Sequence, residues 1–370
     1  MLGNNQFPRA RMASLDGIRG LAIALVLLGH LCGTRYFPMA LDAHNRFAEN
    51  VANLGVRTFF VISGFVICRL LISEEERYGS VSLKGFYYRR IFRILPPFFL
   101  YLAAISLLLG LGLVHEIWRA ILGAGLFLFD INITPHSWLV GHTWSLAAEE
   151  QFYLLFPITW ILTPKRWRSP FCFGVFLLIA VWNFLVFFTH WNTLVGTNGR
   201  VGFSCIAWGV LMAVNENRAR KLARRVPTFV VVLLAIGLLV HPVFSDSWRR
   251  IVYECLLLPP AIALLLLSSL ERGPRLRALL CSKPLQAVGL TSYGIYLWQQ
   301  PFTAPREYFV GQAVIITYLL PLLFLIVPLS YFLVEKPAMR YGKSLSRRTH
   351  RPQSSPAYAM PSSATERTLG

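Results

Sequence analysis

A histidine, several arginines and a pair of carboxylates lie inside or beside long apolar stretches, and their types and spacing could do chemistry. LDGIRGLAIALVLLGHLC holds Asp16, Arg19 and His30. Arg19 and His30 fall on nearly one helix face, about 16 Å apart along the axis. A neutral imidazole can take a proton from a hydroxyl, and ionisable groups inside membrane helices usually face the bundle interior and mark function. VANLGVRTFFVISGFVICRLLI carries Arg57 near one end and Arg69 at the other. WSLAAEEQFYLLFPITWILT carries Glu149 and Glu150 early in its run, and SYGIYLWQQP closes on Gln299 and Gln300. With alternating span directions and the helical rise, His30, Arg57, Glu149 and the two glutamines are expected at one depth near the outer side. At the inner side Arg69, Lys84, Arg89, Arg90 and Arg93 gather in and before YYRRIFRILPP, beside Arg19. Guanidinium forks grouped at one mouth suit phosphate.

Each feature has a plainer reading. His30 alone equally suits an interhelical hydrogen bond. Arg89, Arg90 and Arg93 alone read as basic residues touching lipid phosphate. Glu149 could close a structural ion pair with Arg57, and Glu254 one with another partner. Phe59, Phe60, Phe65 and Trp144 read as packing or interface aromatics. Asp130, His136 and His142 fit no standard metal spacing, so they are assigned to an extracytoplasmic loop and no metal is expected. What favours catalysis is the combination of base, acid and arginine at one depth above a phosphate-suited cluster.

The elements that must hold these groups follow from composition. Of 370 residues, 55% are hydrophobic and 14% charged, with a mean hydropathy of +0.53, which excludes a soluble globule. Runs long enough to span a bilayer cover 15 to 34, 51 to 72, 94 to 114, 144 to 163, 171 to 190, 199 to 214, 226 to 243, 250 to 270, 285 to 302 and 312 to 335. The expected fold is an all-α polytopic bundle of about ten transmembrane helices. One short re-entrant or interfacial helix is expected over 117 to 131. The formal charge of +19 is assigned to topology rather than to nucleic acid. Ten spans with both termini cytoplasmic put every strongly basic connection on one side. An eleventh crossing at 117 to 131 would turn Lys165 and all that follows outward. The six cysteines read as apolar packing residues, since none has a CxxC spacing. Residues 1–13 read as a cytoplasmic segment before an uncleaved first span, 14–342 as the membrane domain, and 343–370 as a disordered cytoplasmic tail.

The segments LDGIRGLAIALVLLGH, GVRTFFVISGFVI, YYRRIFRILP, HTWSLAAEEQFYLLFP, SYGIYLWQQP and VEKP occur in this order between about residues 14 and 337. Together they resemble the acyltransferase-3 family of integral membrane O-acyltransferases. The resemblance implies transfer of an acyl group, commonly acetyl from acetyl-CoA, to a hydroxyl of a sugar or glycan. It also implies a bacterial inner membrane location. His30 is then the expected base and Arg19 a cofactor contact, with Arg57, Trp144, Ser145 and Glu149 in functional positions. On this reading His30, Glu149 and Arg57 are the catalytic set. Arg19, Arg89, Arg90 and Arg93 bind the CoA phosphates, and Asp16, Trp144, Ser145 and Gln299 contact substrate. Gln299 departs from the family, which often has histidine after YLW, and this leaves more of the proton chemistry to His30. Membrane lipid and a glycan or glycosylated metabolite are the expected partners, without nucleic acid. A proton-coupled transporter would also place Arg, His and Glu in membrane helices, but it would be expected to show related halves, and no internal repeat is evident.

Overall fold

Close approach of helix backbones at glycines organises the centre of the bundle. The computed structural model describes residues 9–32, 42–131, 135, 137–189, 195–239 and 252–349. Helix α1 spans Arg9–Leu31, α2 Asp42–Tyr78, α3 Leu83–Gly110, α4 Trp118–Gly125, α5 Thr143–Leu162, α6 Arg168–Thr189 and α7 Thr197–Val214. A Cβ on Gly64 of α2 would lie 2.1 Å from the Ile206 carbonyl oxygen of α7, and one on Gly209 would lie 2.2 Å from that of Val61. The two glycines face each other across one seam, where only a missing side chain lets the backbones meet. Gly29 and Gly55 do the same between α1 and α2, so α2 lies between α1 and α7 as the bundle's centre.

The remainder is more broken. Helix α8 (Glu216–Arg225) and α9 (Thr228–Leu239) meet at 102° around Pro227, where the proline disfavours helical geometry in the residue before it. A π-helical turn, Val252–Leu257, leads into α10 (Leu258–Glu271). Pro259 and Pro260 cannot donate to the preceding turn, which suits the wider winding there. Helices α11 (Pro274–Leu280), α12 (Lys283–Leu290), α13 (Ser292–Trp298) and α14 (Gln300–Thr303) follow as short pieces. A 3₁₀ stretch, Gly311–Tyr318, precedes α15 (Leu323–Ser330), a second π turn (Tyr331–Glu335) and α16 (Lys336–Arg348), which packs on α3.

Six of the described helical segments are long and apolar enough to cross a membrane, and a seventh if the bent α8–α9 pair counts as one span. The all-helical class is therefore as expected, and no β-strand occurs among the described residues, only isolated bridges such as Ile131–Val195. Three expectations need correction. The stretch 285–302 is not one helix but three, broken around Thr291 and Gln299. The stretch 312–335 begins as 3₁₀ rather than α-helix. The region from 343, expected to be disordered, continues helical to Arg348; residues 350–370 lie outside the described residues, as do 1–8. The short helix expected over 117–131 appears as α4, eight residues or about 12 Å, far less than a bilayer core. Cys68, Cys172, Cys205 and Cys255 are buried and unbridged, in keeping with a packing role.

Candidate active site

Helix α1 carries Arg19 midway and His30 in its last turn, and each lines a different cavity. The arginine cavity, about 100 Å³, is lined by Arg19, Arg90, Arg93, Ser63, Glu149 and Tyr153 among others. The histidine cavity, about 580 Å³, is lined by His30, Glu49, Asn53, Asp130, Trp138, His142, Trp144 and Gln300 among others. Val56 and Tyr296 line both, so the two spaces share a wall.

In the arginine cavity, Arg19 donates to Asp16 at 3.0 Å, one helical turn earlier on α1. Arg90 stacks over the Tyr153 ring at 5.2 Å, and Glu149 accepts from Ser63 at 2.7 Å and from Tyr153 at 3.0 Å. The carboxylate is thus fixed among three guanidinium groups, a donor set suited to phosphate or another anion. Arg89 points elsewhere, to Glu74 at 2.6 Å and to Ser346.

The shared wall is a hydrogen-bonded knot. The Tyr296 hydroxyl donates to the His142 carbonyl oxygen at 2.8 Å and shares a hydrogen bond with Ser145 Oγ at 2.7 Å. On the histidine side, the His30 ring lies 6.1 Å from that of Trp138. Gln299 is fully buried, its amide within reach of the His30 ring. Gln300 donates to the Trp138 carbonyl oxygen at 2.9 Å, and the Trp144 ring packs on Phe60 at 5.8 Å. Asp130 accepts from Gln151 at 3.0 Å, and its backbone carbonyl accepts from Gly196 N–H at 2.9 Å, joining two residues of the cavity lining. Burial pushes the Asp130 carboxyl above the usual carboxylate range, while the Gln151 hydrogen bond works the other way.

Arg57 and Glu149 do not flank His30 as expected. Arg57 lines neither cavity; it forms a buried ion pair with Glu254 of the π turn, Nη2 to Oε1 3.1 Å. Glu149 sits on the arginine side. Helix α5 starts level with His30, since His142 at its N-terminus lines the histidine cavity, and Glu149 lies seven residues or about 10 Å further down. Asp16 is the neighbour of Arg19 rather than part of the histidine cavity. Trp144 lines the histidine cavity and Ser145 the arginine cavity. Sequence reasoning set His142 aside as a loop residue and passed over Trp138, Tyr296 and Ser63. Only the His142-Thr143-Trp144 start of a membrane helix hinted that His142 could lie near His30. His136 lies outside the described residues, and no group of three metal-type ligands occurs among those described.

A bundle of membrane-length helices with an arginine cavity and a histidine cavity on one helix face defines a membrane-embedded enzyme-like class. The acyltransferase-3 profile, described as an acyltransferase domain, matches residues 12–335, and the chain belongs to that family. Among curated relatives, it is 26% identical to the peptidoglycan O-acetyltransferase OatA of Listeria monocytogenes over 384 residues, covering 92% of this chain and 58% of that protein. It is 26% identical to the O-acetyltransferase OatA of Staphylococcus aureus over 368 residues, covering 90% of this chain and 58% of the relative. The chain therefore spans less than two thirds of the length of these relatives. No solved structure matches.

Proposed function

We propose that this protein is a membrane O-acyltransferase of the bacterial inner membrane, moving an acetyl group from acetyl-CoA to a hydroxyl of a cell-surface or lipid-linked glycan. The carrying observation is the shared wall: an anion-suited cavity and a histidine-lined cavity meet at Val56 and Tyr296. The names of the OatA relatives support O-acetylation, and the name of the Listeria protein supports a glycan such as peptidoglycan as acceptor. Arg19, Arg90 and Arg93 hold donor phosphate at the cytoplasmic side, with Asp16 fixing how the Arg19 guanidinium points. The small volume of that cavity suits a narrow arm reaching past Tyr296 rather than a nucleotide.

The acceptor hydroxyl enters the histidine cavity beside Trp144 and Gln300, with Gln299 buried against His30 behind that wall. His30 takes its proton as the oxygen attacks the thioester carbonyl, a step worth about 10² to 10⁴ in rate. The C–O bond forms, the C–S bond breaks, and the thiolate recovers the proton from the imidazolium. Arg57 and Glu254 serve by holding α2 to the π turn. The test is transfer of labelled acetyl from acetyl-CoA to extractable glycan in membranes. His30→Ala abolishes transfer while acetyl-CoA still binds, and a turnover-competent His30→Ala protein would overturn the reading.

A further inference from the structure

We propose that His142, with Trp138, supplies the ring N–H donors that stabilise the oxyanion formed in acetyl transfer. The inference rests on the function proposed above and names residues that it leaves unassigned. With Arg57 held by Glu254, no guanidinium among the described residues lines the histidine cavity, so the charge that develops on the thioester oxygen calls for another donor.

His142 is 5% exposed, and its ring is gripped edge-on between Tyr101 at 5.5 Å and Tyr296 at 5.3 Å. The backbone is pinned as well, because its carbonyl oxygen accepts from the Tyr296 hydroxyl and from the Ser145 backbone N–H. Rotation is therefore restricted twice over, yet both ring nitrogens, Nδ1 and Nε2, are buried without a hydrogen-bond partner. A buried polar group left unpaired costs about 1–3 kcal/mol, and a site that holds one rigidly is a candidate for meeting a ligand atom. Trp138 repeats the pattern: it lines the same cavity, its Nε1 is buried and unpartnered, and an indole N–H can only donate. Residues 138 and 142 are four apart in the turn that leads into α5, and Ser137 and Gln300 fix that turn through Val140 N–H and the Trp138 carbonyl.

In the step, His30 accepts the hydroxyl proton, the acceptor oxygen adds to the carbonyl carbon, and the electron pair displaced onto the carbonyl oxygen is held by the two N–H groups. Collapse returns that pair, expels the CoA thiolate, and the thiolate takes the proton from His30. The two imidazoles thus divide the labour: one moves a proton, the other donates a hydrogen bond and keeps its own.

The experiment compares kcat and KM of His142→Phe, His142→Gln and Trp138→Phe with wild type, using acetyl-CoA and membrane glycan. His142→Phe keeps a ring between the two tyrosines but removes both nitrogens, whereas His142→Gln loses the ring and keeps an N–H donor. An oxyanion donor gives a kcat for His142→Phe lowered about 10²–10³-fold with KM for acetyl-CoA little changed, and a higher kcat for His142→Gln. Trp138→Phe lowers kcat less. A packing role gives the opposite order, and an equal or reversed ranking overturns the proposal. If His30→Ala is dead while His142→Phe turns over normally, this inference alone falls. If His30→Ala retains activity, the proposed function falls first.

Discussion

The Arg57–Glu254 pair separates support from chemistry. At 3.1 Å, with an effective dielectric of about 20, its Coulomb attraction is about 5 kcal/mol before desolvation is subtracted. Both side chains are over nine-tenths buried and join α2 to a π turn 197 residues away in sequence. Removing one partner strands the other charge, so Arg57→Ala is expected to destabilise by about 3–5 kcal/mol. Replacing both by apolar residues of similar size, Arg57→Met with Glu254→Leu, is neutral or stabilising, since the desolvation cost goes with the attraction. The assay is thermal unfolding of the purified protein in detergent beside acetyl transfer at a permissive temperature. The double variant should unfold near wild type and keep kcat within about threefold. A double variant that is as stable as wild type but inactive would return Arg57 to the reacting atoms.

Other expectations follow from the same geometry. Arg90→Ala and Arg93→Ala should each raise KM for acetyl-CoA about tenfold or more, as lost charge-assisted bonds do, whereas Arg89→Ala, bound to Glu74 and Ser346, should leave it nearly unchanged. Comparable effects at all three would mean that the cavity does not select donor contacts. Gly64→Leu should prevent α2 from seating on α7 and abolish folded protein in detergent chromatography, because even a Cβ would lie 2.1 Å from Ile206 O; normal yield would contradict that seam. The raised Asp130 carboxyl means that the folded state holds its proton more tightly than the unfolded chain. That group's contribution to stability therefore falls as pH rises above the unfolded carboxylate value of about 3.9. Asp130→Asn should flatten this decline in unfolding curves recorded against pH, and an unaltered slope would count against it.

Much of the architecture could be read from apolar run length, because α1, α2, α3 and α6 need only lipid and internal backbone hydrogen bonds to form. Where helices break, tertiary partners decide. A proline, Pro227, stands at the bend between α8 and α9, although 226 to 243 was expected as one run; the interruptions near Thr291 and Gln299 and the 3₁₀ stretch at Gly311–Tyr318 carry no comparable signal. For the site, spacing on α1 was enough to put Arg19 and His30 along one face. Depth counted from the ends of separate spans misplaced Glu149, since helices do not all start at the same level. The partner of Arg57 lay far along the chain, in a residue read only as an ion-pair candidate. His142 was hidden because a histidine in a turn has no periodicity to assign it a face.

The proposed route carries acetyl from an arginine cavity on one side of the membrane to His30 near the other. Sided proteoliposomes test it most directly, with labelled acetyl-CoA supplied on one face and glycan acceptor on the opposite face. Label is expected in the acceptor only when acetyl-CoA is on the side of Arg90 and Arg93, and none with His30→Ala. Transfer with donor and acceptor confined to the same face, or undiminished transfer by His30→Ala, would contradict it.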